Sequence, residues 1–206
     1  MPALESMYIG RVLHNGLVRP LLLRHIDSMT NCHVPDNLGL MVREISSGGV
    51  VVRLLDKNWH IAVIEPQKET TGAINVTSGR KKPQKMLLAL PKGLVDPGEK
   101  PQQTAIREVK EETGLSVRSI AKLGDIKYMY VRSWGDKQRV FKIVSFYLLQ
   151  YEAGTIDDIA ADMRIEVKRA LWIPLEEAAR QLAYSGEKDM VQRALAYIRD
   201  HPELSG

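Results

Sequence analysis

Residues 93–115 read GLVDPGEKPQQTAIREVKEETGL, and the centre of this stretch predicts a short helix carrying Glu108, Glu111 and Glu112. A helix turns about 100° per residue, so Glu112 lies about 40° to one side of Glu108 and Glu111 about 60° to the other. The carboxylates thus share roughly a quarter of the helix surface. Left alone they repel one another, and at least one holds its proton more tightly than usual. A hard divalent cation removes the conflict. Magnesium binds through a few carboxylates and keeps positions open for phosphate oxygens. On the opposite side Ala105, Ile106 and Val109 form an apolar stripe suited to packing on a sheet.

The ends of this helix are marked. Pro101 suits the first helical position, where a missing N–H costs little, and Gly114 suits the position after the last turn. Pro97 and Gly98 mark a tight loop ahead of it. Arg107 precedes Glu111 by four residues, the spacing at which a guanidinium reaches a carboxylate on the same face.

Five residues separate Gly93 from Glu99, and seven separate Glu99 from the run Arg107-Glu108-Val109-Lys110-Glu111-Glu112-Thr113-Gly114-Leu115. This pattern resembles the signature of Nudix hydrolases, with every defining position filled. Two other readings stand beside it. One is a solvated acidic helix face, and the other is a Nudix fold that binds nucleotides without cleaving them. Domains of the second kind usually lose a signature glutamate, and this chain keeps them all.

A chain of 206 residues, 44% apolar and 26% charged, has the balance of a soluble globular protein of one domain with an extension. Its net charge of +4 is compatible with polyphosphate ligands and says little about nucleic acid. Cys32 is the lone cysteine, which excludes an intrachain disulfide and a cysteine-rich metal site and fits a reducing compartment. The start, MPALESMYIGR, lacks a basic segment followed by an apolar core, and the longest apolar stretch is broken by Arg19, Pro20, Arg24 and His25. Neither a signal peptide nor a membrane span is expected, and a cytoplasmic location follows.

Along the chain, residues 1–45 show no clean period and are read as an N-terminal extension packed on a main domain of residues 46–206. Ser46-Ser47-Gly48-Gly49 leads into Val50–Leu55, a buried-strand signal, and Trp59–Ile64 reads as the returning strand after a turn at Asp56-Lys57-Asn58. Residues 65–86 are read as a polar loop, in which Arg80-Lys81-Lys82 and Lys85 form a basic stretch. Strands are expected at Leu87–Leu90, Ser116–Leu123, Asp125–Arg132, Arg139–Tyr151 and Ile165–Trp172, with a turn at Ser133–Asp136. Helices are expected from Pro174 and over Glu187–Asp200, and neither carries a basic DNA-reading pattern.

The resemblance covers about residues 46–200. It implies an α/β (α+β) fold, the Nudix α/β/α sandwich with a mixed sheet, and a hydrolase that cuts a phosphoanhydride bond in a nucleotide. It also implies magnesium, with manganese as an alternative, held by Glu108, Glu111, Glu112 and the backbone carbonyl of Gly93. Either Glu108 or Glu111 serves as general base. Glu166 is the candidate fourth carboxylate from outside the signature, Arg107 orients a glutamate, and Glu99 supports the loop. Among family members the local features are similar to the asymmetric diadenosine tetraphosphate hydrolases and the MutT-type enzymes. These features are Pro91-Lys92-Gly93, Asp125–Tyr130, the Phe141–Leu148 strand and Leu182–Asp189. In the tetraphosphate group a tyrosine stacks on adenine and basic side chains grip phosphates. That assigns Tyr128 or Tyr130 to the base and Lys92 and Lys142 to phosphate. The substrate alternatives are nucleoside triphosphates including oxidised ones, ADP-ribose, and capped RNA. A small-molecule nucleotide is the expected partner, with no membrane and no DNA, and a homodimer is compatible with the chain.

Overall fold

The strand Val42–Leu55 (β1) runs through the middle of the sheet, and everything else is placed by it. The computed structural model describes residues 41–67, 86–132 and 138–205. The extension up to residue 40 with Cys32, the basic stretch around Arg80–Lys85 and the expected turn at Ser133–Asp136 lie outside the described residues.

After β1 come Asn58–Pro66 (β2), Lys92–Leu94 (β3), helix Pro101–Thr113 (α1), Ser116–Val131 (β4), Arg139–Ala153 (β5), Val167–Pro174 (β6) and helices Leu175–Gln181 (α2) and Ser185–Asp200 (α3). The sheet order is β4-β5-β1-β2-β6, with β3 alongside β1. β1 and β5 are parallel from Val42↔Val140 to Val52↔Gln150, and the other pairs are antiparallel, so the sheet is mixed as expected. The β1–β2 hairpin closes on Asp56 and Lys57, both with positive φ (48° and 65°), the backbone that matches strand twist in a two-residue loop.

β1 is buried on both sides, which is why Val50-Val51-Val52 reads as an unbroken apolar run. Val50 and Val52 join Ile61, Val63, Phe146 and Leu148 in one core, closed by Leu175 and Ala178 of α2 and Met190, Val191, Ala194 and Ile198 of α3. Val51 faces the other way with Ala62, Val117 and Leu149, and there Ala105 and Val109 of α1 complete a second core. Two helical layers thus sandwich one sheet.

Several boundaries differ from the sequence reading. β1 begins at Val42, so Val42–Ile45 belong to the sheet and not to an extension. The two strands expected on either side of Gly124 are one strand, β4. Gly124 sits at a register shift with φ 151°, and a Cβ there would meet the Arg193 guanidinium, so the glycine marks a bulge and not a strand end. Leu87–Leu90 makes only single bridges, Ile64↔Ala89 and Leu88↔Leu182, because it is wedged between β2 and the α2–α3 junction. The paired strand comes just after it, at β3. Glu166 does not open the last strand. It ends the 3-10 turn Met163–Ile165, one residue before β6. α3 starts two residues ahead of Glu187.

Candidate active site

α1 forms where the sequence punctuation puts it. Pro101 is in the first turn, the Lys100 N–H donates to Gln103 Oε1 (3.1 Å), and Gly114 takes φ 79° with its N–H donating to the Lys110 carbonyl at 3.0 Å. The burial of Ala105 and Val109 fixes the rotation of the helix, and that rotation turns Glu108 and Glu112 toward β3. Glu112 is 1% exposed and accepts the Lys92 N–H at 2.8 Å. Glu108 lies directly over Gly93. A Cβ at Gly93 would stand 2.1–2.2 Å from the Glu108 carboxylate, so any side chain there would push that carboxylate out of its place.

Arg107 ties the surroundings together. It forks onto Glu99, Nε to Oε1 and Nη2 to Oε2, both at 3.0 Å. Its Nη1 donates to Glu108 Oε1 (2.7 Å) and Glu111 Oε2 (3.0 Å), and its Nη2 also reaches the Leu94 carbonyl at 3.0 Å. Glu99 is held below the ordinary glutamate range chiefly by Arg107. Its backbone contact, from Asp96 N–H, is long at 3.4 Å, so Glu99 braces Arg107 more than it braces the loop.

The helix carboxylates go the other way. Burial pushes Glu108 up to about 7, with Arg107 opposing and the charges of Glu111 and Glu166 adding to the rise. Burial pushes Glu112 up to about 8, opposed by Lys92 and reinforced by Glu108 and Glu166. Glu166 therefore belongs to the same electrostatic neighbourhood, although it comes from the far end of the chain. Among the described residues, no three acidic, histidine or cysteine side chains already stand in ion-holding geometry. Arg107 occupies oxygens of Glu108 and Glu111. The Glu111 side chain is 41% exposed and hence able to turn off Arg107 at small cost. The donor set is all oxygen, Glu108 and Glu112 are raised by burial first and by neighbouring carboxylates second, and Gly93 leaves the cradle open. These features fit a hard divalent ion.

Of the residues expected to meet substrate, Lys92 opens β3, Tyr128 and Tyr130 are on β4 and Lys142 is on β5. Tyr128, Lys142 and Glu44 are cross-strand neighbours on β4, β5 and β1. The Tyr128 and Tyr130 rings are 6.1 Å apart and tilted by 34°. Tyr128 is 37% exposed, whereas the Tyr130 hydroxyl donates to Glu44 (2.9 Å). Lys142 Nζ lies 3.4 Å from Glu44, and Arg132 also donates to Glu44. Burial would raise Glu44, but Arg132, Tyr130 and Lys142 outweigh it and hold it low. Burial, together with the nearby charge of Lys92, lowers Lys142. The Lys92 side chain is largely covered, 13% exposed, with its ammonium 3.5 Å from Glu187. Sequence reasoning missed Glu44 and Glu187. Glu44 stood in the stretch assigned to the extension, and Glu187 entered only as the first residue of the closing helix and within the stretch Leu182–Asp189, with no role of its own.

A family model described as NUDIX domain matches residues 56–194. Mycobacterium tuberculosis MutT4 is 34% identical over 155 residues, 74% of this chain and 55% of that protein, so the chain spans about half the length of this relative. Among solved structures, a Caenorhabditis elegans Ap4A hydrolase binary complex superposes with a TM-score of 0.54 at 19% identity, covering 76% of this chain and 98% of the other. The NUDIX domain of Shewanella oneidensis NrtR, complexed with ADP ribose, gives 0.50 at 17% identity over 81% and 94%. The two structural likenesses bear on the fold.

Proposed function

The chain belongs to the Nudix family, and from that premise we propose that it hydrolyses a phosphoanhydride bond of a nucleotide with a divalent metal ion, with a dinucleoside polyphosphate as the favoured substrate. The observation that carries the reading is the pair of buried, proton-retaining carboxylates, Glu108 and Glu112, packed around Gly93. Glu108, Glu111, Glu112, Glu166 and the Gly93 carbonyl would hold magnesium or manganese. Such an ion supplies charge neutralisation and a more acidic bound water.

The chain's own residues do the rest. Arg107 stays charged, since Glu99 and its other carboxylate partners raise its pKa against the pull of burial, and it orients Glu108 and Glu111. Either of those glutamates takes the proton of the attacking water. Lys92 and Lys142 place positive charge beside the phosphate path, and the charge of Lys92 is felt at Lys142. Tyr128 offers a ring face to a base, contact area gained at low entropy cost. The Tyr128–Tyr130 pair and the fold shared with the C. elegans Ap4A hydrolase support the dinucleoside reading. The identity with MutT4 supports a second reading, a nucleoside triphosphate substrate.

The test is a nucleotide panel with magnesium and with manganese, products resolved by chromatography. The first reading predicts ATP and AMP from diadenosine tetraphosphate. The second predicts a monophosphate and pyrophosphate from a triphosphate. No turnover on any member of the panel would contradict both.

A further inference from the structure

Glu187 lies outside the signature, in the first turn of α3, and is 3% exposed. Both its oxygens are committed to the segment that leads into β3. Oε2 accepts the Leu90 N–H at 2.9 Å, and Oε1 faces the Lys92 ammonium at 3.5 Å. Its own position is fixed from behind. A Cβ on the neighbouring Gly186 would come within 2.8 Å of Ile126, so this turn of α3 lies hard against β4. The segment it holds is also held by β1, where the Gly49 N–H donates to the Pro91 carbonyl (3.1 Å) and Gly48 pairs with Lys92. The Lys92 N–H in turn holds Glu112. One short segment thus links α3 to the carboxylates of α1.

A tether alone does not need a charge here. Desolvation offsets most of what a buried ion pair gains, and a neutral acceptor would serve the Leu90 N–H as well. The charge has an electrostatic consequence instead. The Lys92 ammonium lies 3.5 Å from Glu187, while the Lys92 N–H donates to Glu112 at 2.8 Å, so one residue stands between the two carboxylates and its side chain is drawn to the one on α3.

We propose that Glu187 is a positioning residue: it draws the Lys92 ammonium toward α3, so that this ammonium does not settle on Glu112 and the Glu112 oxygens stay accessible to a divalent ion. The inference rests on the metal-binding reading of α1. Without the Glu187 charge, Lys92 competes with the ion for Glu112.

The test is binding of Mn²⁺ alone to the full chain at neutral pH, read by the electron paramagnetic resonance of free Mn²⁺, with no substrate present. Wild type, E112Q, E187Q, K92M and K92M/E187Q are compared. E187Q is expected to weaken binding by about tenfold or more. K92M/E187Q is expected to match K92M within roughly twofold, because without the ammonium there is nothing for Glu187 to draw away. A Glu187 that merely stabilises the fold would cost the same with or without Lys92. Unchanged affinity in E187Q, or equal losses in both backgrounds, overturns the inference while the metal site stands. A wild type without a saturable Mn²⁺ site, or E112Q binding like wild type, overturns the metal reading and the inference with it. If E187Q does not fold, E187D keeps the charge but withdraws it by one methylene, and carries the same comparison against K92M/E187D.

Discussion

Glu112 and Glu65 are both buried carboxylates beside basic residues, yet the protein treats them in opposite ways. Glu65, on β2, gives one oxygen to the Lys168 ammonium and the other to Arg169 Nε, each at 2.8 Å, and so ties β2 to β6. Those partners, Lys168 first, hold it below the ordinary glutamate range. Glu112, on α1, has a lysine amide and the nearby Lys92 ammonium, but also Glu108 and Glu166, and it is pushed up to about 8. At Glu65 the fold supplies its own countercharge. At Glu112 what surrounds the carboxylate does not repay its burial. On the proposed reading, the charge that answers Glu112 is that of a divalent ion.

The comparison breaks most visibly in turnover. E112Q keeps an acceptor for the Lys92 N–H and is expected to lower kcat by about a hundredfold or more, because a hard ion loses an anionic ligand. Its thermal midpoint is expected to hold or rise. Near-normal turnover would place Glu112 with Glu65 as a structural carboxylate. R107K is next. A lysine ammonium cannot reproduce the fork on Glu99 together with contacts to Glu108 and Glu111, so steady-state kinetics should show about a tenfold to hundredfold loss of kcat.

Stability against pH sharpens the contrast, because the two regions have opposite signs. Glu108 and Glu112 carry raised values, so the stability they contribute is present below the ordinary glutamate range and is lost as pH rises through about 7 and about 8. Glu65 carries a lowered value, so its contribution is present above that range and is lost as pH falls through the depressed value. In chelator, the midpoint of wild type relative to E112Q is expected to fall between about pH 5 and about pH 8. Added magnesium should remove that fall. A relative midpoint that rises over this range would contradict the assignment. The smallest effect belongs to E65Q, which is expected to cost about 1 kcal/mol in denaturant unfolding at neutral pH, since Lys168 and Arg169 are about half exposed. It should leave kcat untouched and lose its deficit in acid.

What was legible in the sequence was local. Pro101, Gly114 and the apolar stripe Ala105–Val109 define α1 by contacts within a few residues, and the structure places its ends accordingly. The buried run Val50–Val52 announced a strand covered on both faces. What was not legible depended on distant partners. Glu44 gains its meaning from Tyr130 and Arg132, and Glu187 from Leu90 and Lys92, and no periodicity carries such pairings. Gly124 read as a break because a bulge and a strand end look alike until Arg193, from α3, is seen beside it. Leu88 and Ala89 are apolar because they are wedged into the core, and an apolar stretch does not reveal whether its backbone finds a full strand partner or single bridges.

The most direct measurement is the initial rate of phosphoanhydride hydrolysis by the full chain across a magnesium titration that begins in chelator. The account predicts no turnover in chelator and a saturable rise with magnesium on a dinucleoside polyphosphate. Full-rate hydrolysis in chelator would mean that the crowded carboxylates of α1 do not serve a metal ion, and would contradict it.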